Sequence, residues 1–151
     1  MDDGIRDNLR HIIGMVVFDG ERFLLLHRKL NWSGWEFPKG AVEETEKNEE
    51  AIRRELLEET ALKKYTLVIQ LDEFDFYDKV RKINSHIKNY LVQVSSNSKV
   101  SLNNEHVLDG EVVEEHDSFK WFHPKDALTT VTHSNQKETL NKAITYLGLS
   151  E

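Results

Sequence analysis

The stretch from Gly40 to Leu62, GAVEETEKNEEAIRRELLEETAL, places Glu55, Glu58 and Glu59 on one side of a helix expected over residues 47–60. At about 100° per residue, the apolar positions Ala51, Ile52 and Leu56 overlap and flank that side, so the carboxylates line the edge of a buried stripe. Like charges at this spacing cost roughly 0.2–0.5 kcal/mol per pair on an exposed helix, and far more once desolvated, unless a cation neutralises them. Arg54, four residues before Glu58, can pair with one carboxylate and leave the others for a hard divalent ion that prefers oxygen, above all Mg²⁺. A solvated helix face is the competing reading of such a charge run.

The rest of the composition narrows the setting. A chain of 151 residues is expected to form one domain, residues 1–151, with a single core. It has no cysteine, which removes disulfides, thiolate zinc sites and a thiol nucleophile together and suits a reducing cytoplasm. No apolar run approaches a membrane span, and MDDGIRDNLR lacks the apolar segment of a signal peptide, so a soluble cytoplasmic protein is expected. A net charge of −7 argues against broad affinity for nucleic acid, DNA included. Any phosphate-bearing substrate must then be met by local cations or by metal.

His11–Phe18 reads as a strand, Asp19-Gly20 as a hairpin turn and Phe23–His27 as its partner. Further strand-like stretches are Tyr65–Leu71, Phe74–Tyr77, Ile87–Val94 and Ser118–Phe122. A short helix follows Pro124, and a longer one from about Ser134 carries the apolar stripe Leu140, Ala143, Ile144 and Leu147. Strands interleaved with a few helices imply an α/β fold, a mixed sheet covered by helices on both faces. The seven histidines show no paired ligand spacing for zinc, and neither a nucleophile elbow nor a Walker loop is present.

Gly40, Glu46, Arg54-Glu55-Leu56, Glu58-Glu59 and Ala61-Leu62, at their spacing, closely resemble the Nudix box, the signature of Mg²⁺-dependent hydrolases of nucleoside diphosphates linked to another group. The family pattern has glycine where this chain has Ala61. The departure touches the helix end, where glycine usually supplies a left-handed residue, and not the acidic positions. The resemblance implies the Nudix α/β/α sandwich with a central mixed sheet and the acidic helix packed against it. It also implies that Glu55, Glu58, Glu59 and the carbonyl of Gly40 hold Mg²⁺, with Mn²⁺ as an alternative, joined by a glutamate from outside the box. Glu115 in EHDSFKW is the first candidate for that role and Glu114 its rival. The general base is assigned to Glu58 or Glu55, with Glu115 behind them; Arg54 and Glu46 hold helix and loop.

Residues outside the box speak to substrate. The Pro38-Lys39-Gly40 ending of Trp35-Glu36-Phe37-Pro38-Lys39-Gly40 is similar to that of diadenosine polyphosphate hydrolases and of enzymes acting on RNA 5′ ends, and the Glu115-His116 to Trp121 stretch is similar to that of diadenosine tetraphosphate hydrolases. That similarity implies a dinucleoside polyphosphate cleaved to ATP and AMP, with Lys39 beside the polyphosphate and Tyr77 stacked on a base. Sheet packing competes for Tyr77, Phe76 is expected in the core, and Trp32 is read as a surface group or a lid. Lys79, Arg81, Lys82 and Lys88 form a basic neighbourhood able to catch distal phosphates, or else a solvated hairpin loop. RNA 5′ ends, nucleoside triphosphates or ADP-ribose are alternative substrates. A catalytically silent nucleotide sensor is the alternative from outside enzymology. The oligomeric state is left open.

Overall fold

The computed structural model describes residues 9–102, 105–108 and 111–149, with the backbone alone at 105–108 and 111–113. Its elements run β1 (Arg10–Phe18), β2 (Phe23–Arg28), β3 (Gly34–Glu36), β4 (Lys39–Ala41), α1 (Asn48–Thr60), β5 (Thr66–Asp78), β6 (Ile83–Gln93), β7 (Glu105–Leu108), β8 (Glu111–Glu114), β9 (His116–Phe122), α2 (Pro124–Thr130) and α3 (Ser134–Leu147).

Period-two alternation along β1 decides the layering. Ile13, Met15 and Val17 are buried with Leu24 and Leu26 of β2 against Ala51, Ile52 and Leu56 of α1. Val16 and Phe18 join Phe23, Leu25 and Phe37 against Ala127 of α2 and Leu140, Ala143 and Ile144 of α3. The sheet is therefore covered on both faces, an α/β/α sandwich. Among the described residues, no helix is long and apolar enough to cross a membrane.

The sheet is mixed. β1 lies parallel to β6 from Arg10 opposite Ser85 to Phe18 opposite Gln93, and β6 continues antiparallel into β5. Its pairing with β2 is confined to Phe18 and Phe23, at the Asp19 turn. Beyond that point the hairpin splays, and β4 fills the gap, with Gly40 opposite Ile13. β2 turns instead to β3 and β9. This splay brings Lys39 and Gly40 to the mouth of the sheet, beside α1.

Several expected boundaries shift for identifiable reasons. Tyr65–Leu71 and Phe74–Tyr77 belong to one long β5, in which irregular register between Leu67 and Ile69 and between Gln70 and Asp72 breaks the alternation. β6 begins at Ile83 and β9 at His116, earlier than their apolar patterns start. The short β3 and β4 and the β7–β8 pair have too few residues to show a period. Ala61 takes the left-handed conformation usual for glycine, with φ 63°, and its N–H donates to the Leu57 carbonyl to close α1. Phe76, expected in the core, is half-buried and lines the cavity described next.

Candidate active site

Gly40 and Glu55 are built against each other. A Cβ added at Gly40 would overlap the carboxylate of Glu55, so any side chain there would have to displace that carboxylate from its place against β4. Arg54 then ties the intervening loop to the helix. Its Nε and Nη2 donate to Glu46 at 2.7 and 2.8 Å, and Nη2 also donates to the Ala41 carbonyl at 2.8 Å. Nη1 donates to Glu55 Oε1 at 2.7 Å and Glu58 Oε1 at 3.2 Å. Arg54 thus spreads over three carboxylates where the sequence suggested one partner, because its fork presents several donors. The contact with Arg54 pulls the Glu46 carboxyl down to about 2.

Glu59 lies outside these Arg54 contacts. It is buried, and its Oε1 accepts the Lys39 backbone N–H at 3.0 Å. Burial, followed by the negative charges of Glu115, Glu55 and Glu36, pushes its carboxyl well above the ordinary range. Burial also raises the Glu55 carboxyl, against the pull of Arg54. Glu58 is 56% exposed at the rim.

The facing wall comes from β2, β3 and β9. Where the β2–β9 register shifts between His27 and Arg28, the Glu115 carbonyl accepts the Lys29 N–H at 2.9 Å, and the Glu115 side chain turns into the cavity. Its rival Glu114 is exposed and pairs with Lys29 at 3.1 Å. Buried Glu36 accepts from Arg28 Nη1 at 3.1 Å and His116 Nε2 at 2.8 Å, and lies 3.2 Å from Lys39 Nζ. Arg28 is not marked by the sequence, and Glu36 and buried His116, which stand in the stretches similar to diadenosine tetraphosphate hydrolases, carry no role there. A carboxylate inside the apolar run Trp35-Glu36-Phe37 was the available signal for them.

These walls enclose a cavity of about 780 Å³. Lys39, Gly40, Glu55, Glu58, Glu59 and Glu115 line its acidic part, and Phe74, Phe76, Tyr77, Trp32 and His133 supply aromatic surface. Tyr77, on β5 opposite Asn84, is 54% exposed there and is not a core residue. Trp32 and His133 meet edge to face with ring centroids 4.5 Å apart. Arg10, Lys79 and Arg81 add positive charge. Lys82 is an exposed turn residue at φ 56° outside the lining, and Lys88 on β6 is also outside it.

Residues 8–143 match the NUDIX domain. The chain belongs to the NUDIX domain family. An RNA pyrophosphohydrolase of Bartonella bacilliformis is 31% identical to this NUDIX chain over 51% of its length and 51% of the relative. This chain thus spans about half or less of the length of the curated relatives it matches. The crystal structure of a C. elegans Ap4A hydrolase binary complex superposes with a TM-score of 0.77 at 23% identity, covering 93% of this chain and 98% of that one. The NUDIX domain of Shewanella oneidensis NrtR complexed with ADP ribose gives 0.69 at 19% identity, covering 97% and 93%. These structures share the NUDIX fold.

The donor set fits a hard divalent cation of the kind the family generally uses. Glu59 and Glu55 are carboxylates drawn out of water and pushed towards protonation by burial and acidic neighbours, Glu55 lying against Gly40 and Glu59 against the Lys39 N–H of β4.

Proposed function

We propose that this NUDIX protein is a Mg²⁺-dependent pyrophosphohydrolase that cleaves dinucleoside polyphosphates such as diadenosine tetraphosphate, releasing ATP and AMP by water attack on phosphorus. The observation that carries the reading is one cavity lined by the buried Glu59, by Glu55, which shares Arg54, and by Lys39, together with an exposed Tyr77. Glu55, Glu58, Glu59 and Glu115, with the Gly40 carbonyl, would hold Mg²⁺ or Mn²⁺. Bound there, it would supply positive charge to phosphate oxygens and lower the pKa of a coordinated water.

The chain's own groups do the rest. Lys39 places an ammonium beside the polyphosphate, and Lys79 and Arg81 receive distal phosphates, so that repulsion between anionic oxygens and the incoming water falls. Tyr77 offers a face to one base. Arg54 engages Glu55 Oε1, which leaves Oε2 as the atom to accept the water's proton, with Glu58 as the alternative base.

A second reading is hydrolysis at RNA 5′ ends. It is favoured by the names of the curated relatives and by Arg10, Lys79 and Arg81 along the cavity. Incubation with Mg²⁺ and a panel of diadenosine tetraphosphate, triphosphorylated RNA, nucleoside triphosphates and ADP-ribose, with products identified by mass, tests both. Preferred conversion of diadenosine tetraphosphate to ATP and AMP supports the first reading, and preferred release of pyrophosphate from RNA replaces it with the second. Nucleotide binding without turnover would make the protein a silent sensor.

A further inference from the structure

Behind Lys39 lies a buried carboxylate that the hydrolysis just described does not use. The two oxygens of Glu36 are divided. Oε1 lies 3.2 Å from Lys39 Nζ, and Oε2 accepts from Arg28 Nη1 at 3.1 Å and from His116 Nε2 at 2.8 Å. The same Arg28 nitrogen donates to Glu115 Oε2 at 3.2 Å. Glu36, Glu115 and His116 bring their ligand atoms close enough to share a metal ion. Arg28 Nη1, within reach of both carboxylates, already supplies positive charge at that place. Arg28 is itself fixed, with Nε donating to the Leu30 carbonyl at 2.9 Å and the guanidinium 5.6 Å from the centre of the Trp32 ring.

A lysine ammonium on its four-carbon stem samples many positions, and ordering it costs entropy. A buried anion three residues earlier removes that freedom before substrate arrives. We propose that Glu36 is a positioning residue: through Oε1 it aims the Lys39 ammonium into the cavity, and through Oε2 and Arg28 it holds the Glu115 carboxylate at the cavity wall. One buried carboxylate thereby couples the grip on substrate phosphates to the metal ligand set. Its kinetic consequence rests on the hydrolase reading above, whereas its effect on metal affinity does not.

The test compares wild type, Glu36→Gln, Lys39→Met and the double variant. KM and kcat are read with the preferred polyphosphate, and the Mn²⁺ dissociation constant by electron paramagnetic resonance. Supporting groups of this kind are worth about 10–100-fold in metal affinity or activity. Glu36→Gln is expected to raise KM and the Mn²⁺ dissociation constant by about that factor, with a smaller loss in kcat. The double variant is expected to show a KM no higher than Lys39→Met alone, because Glu36 acts on substrate through Lys39. A folded Glu36→Gln with wild-type KM and Mn²⁺ affinity, or effects on KM that add in full, would overturn the proposal.

Should Glu36→Gln show no cooperative melt, Glu36→Gln combined with Arg28→Met removes buried anion and cation together, a change that folds tolerate better. Wild-type KM and Mn²⁺ affinity in that variant would equally overturn it. If wild type turns over no member of the panel, the hydrolase reading fails by itself, and the Mn²⁺ dissociation constants still decide the role of Glu36.

Discussion

Glu36 and Glu59 are both buried glutamates beside Lys39, one on β3 and one on α1, and their carboxyls move in opposite directions. Burial pushes each towards protonation. For Glu36, the Lys39 ammonium, His116 and Arg28 outweigh burial and bring the carboxyl down to about 2. For Glu59, the charges of Glu115, Glu55 and Glu36 add to burial, and the Lys39 backbone N–H is the opposing contact. Cation supply separates the two. The saturated wall is internal scaffolding, and the starved wall is where a metal ion would gain most.

The contrast can be broken from either side. The largest effect is expected at the saturated wall: Glu36→Gln leaves Arg28 with a weakened buried partner and should cost about 3–5 kcal/mol, read by denaturant unfolding. Glu59→Gln should do the reverse, reducing turnover in Mg²⁺ by about 100-fold or more while holding or raising the melting temperature in chelator. Unchanged turnover in Glu59→Gln would place the metal elsewhere. Mg²⁺ at about 100 times its dissociation constant should stabilise wild type by about 2.7 kcal/mol, and much less after Glu59→Gln.

The pH dependence sharpens the comparison further. The folded values of Glu36 and Glu46, about 2, lie below the ordinary 4.5, so their contribution to stability is present above that range and is lost as pH falls through it. Glu59 is raised in the folded state, so its contribution is present on the acid side and is lost as pH rises through its folded value. Metal-free protein should therefore gain in melting temperature on acidification from neutrality and lose it again towards pH 2. Glu59→Gln should shrink the first limb, leaving the share of Glu55, whose carboxyl burial also raises, and should leave the second limb in place. The smallest effect is expected at the end of the starved helix, where Ala61→Gly should relieve the left-handed alanine and stabilise by about 1 kcal/mol in the same denaturant assay.

The acidic helix, the β1–β2 turn and the covered sheet were legible because each rests on a local period or turn chemistry, and the apolar stripe of α3 is buried where its spacing puts it. The acidic side of the cavity was equally legible, since Glu55, Glu58 and Glu59 share one helix. The saturated wall, Lys39 apart, was not. Arg28, Glu36 with Lys39, and His116 come from three separated segments, and no local rule marks charged residues that will meet. Proximity in sequence groups Lys82 with Lys79, yet Lys82 sits at a positive-φ turn position outside the cavity lining. Strand alternation points Phe76 to the core, and its strand passes the cavity where the core ends.

The parallel pairing of β1 with β6 also bears on how this protein reaches its native state. A first strand whose main partner arrives late in the chain must close a long loop before that pairing repays the lost entropy, and topologies dominated by such contacts fold slowly. Ile87 and Asn89 of β6 help to line the cavity, so the site cannot assemble before that closure. During synthesis the glutamate helix would emerge well ahead of β6 and of Glu115 and His133, which line the same pocket. Refolding monitored at Tyr77 should then lag behind the appearance of helical signal.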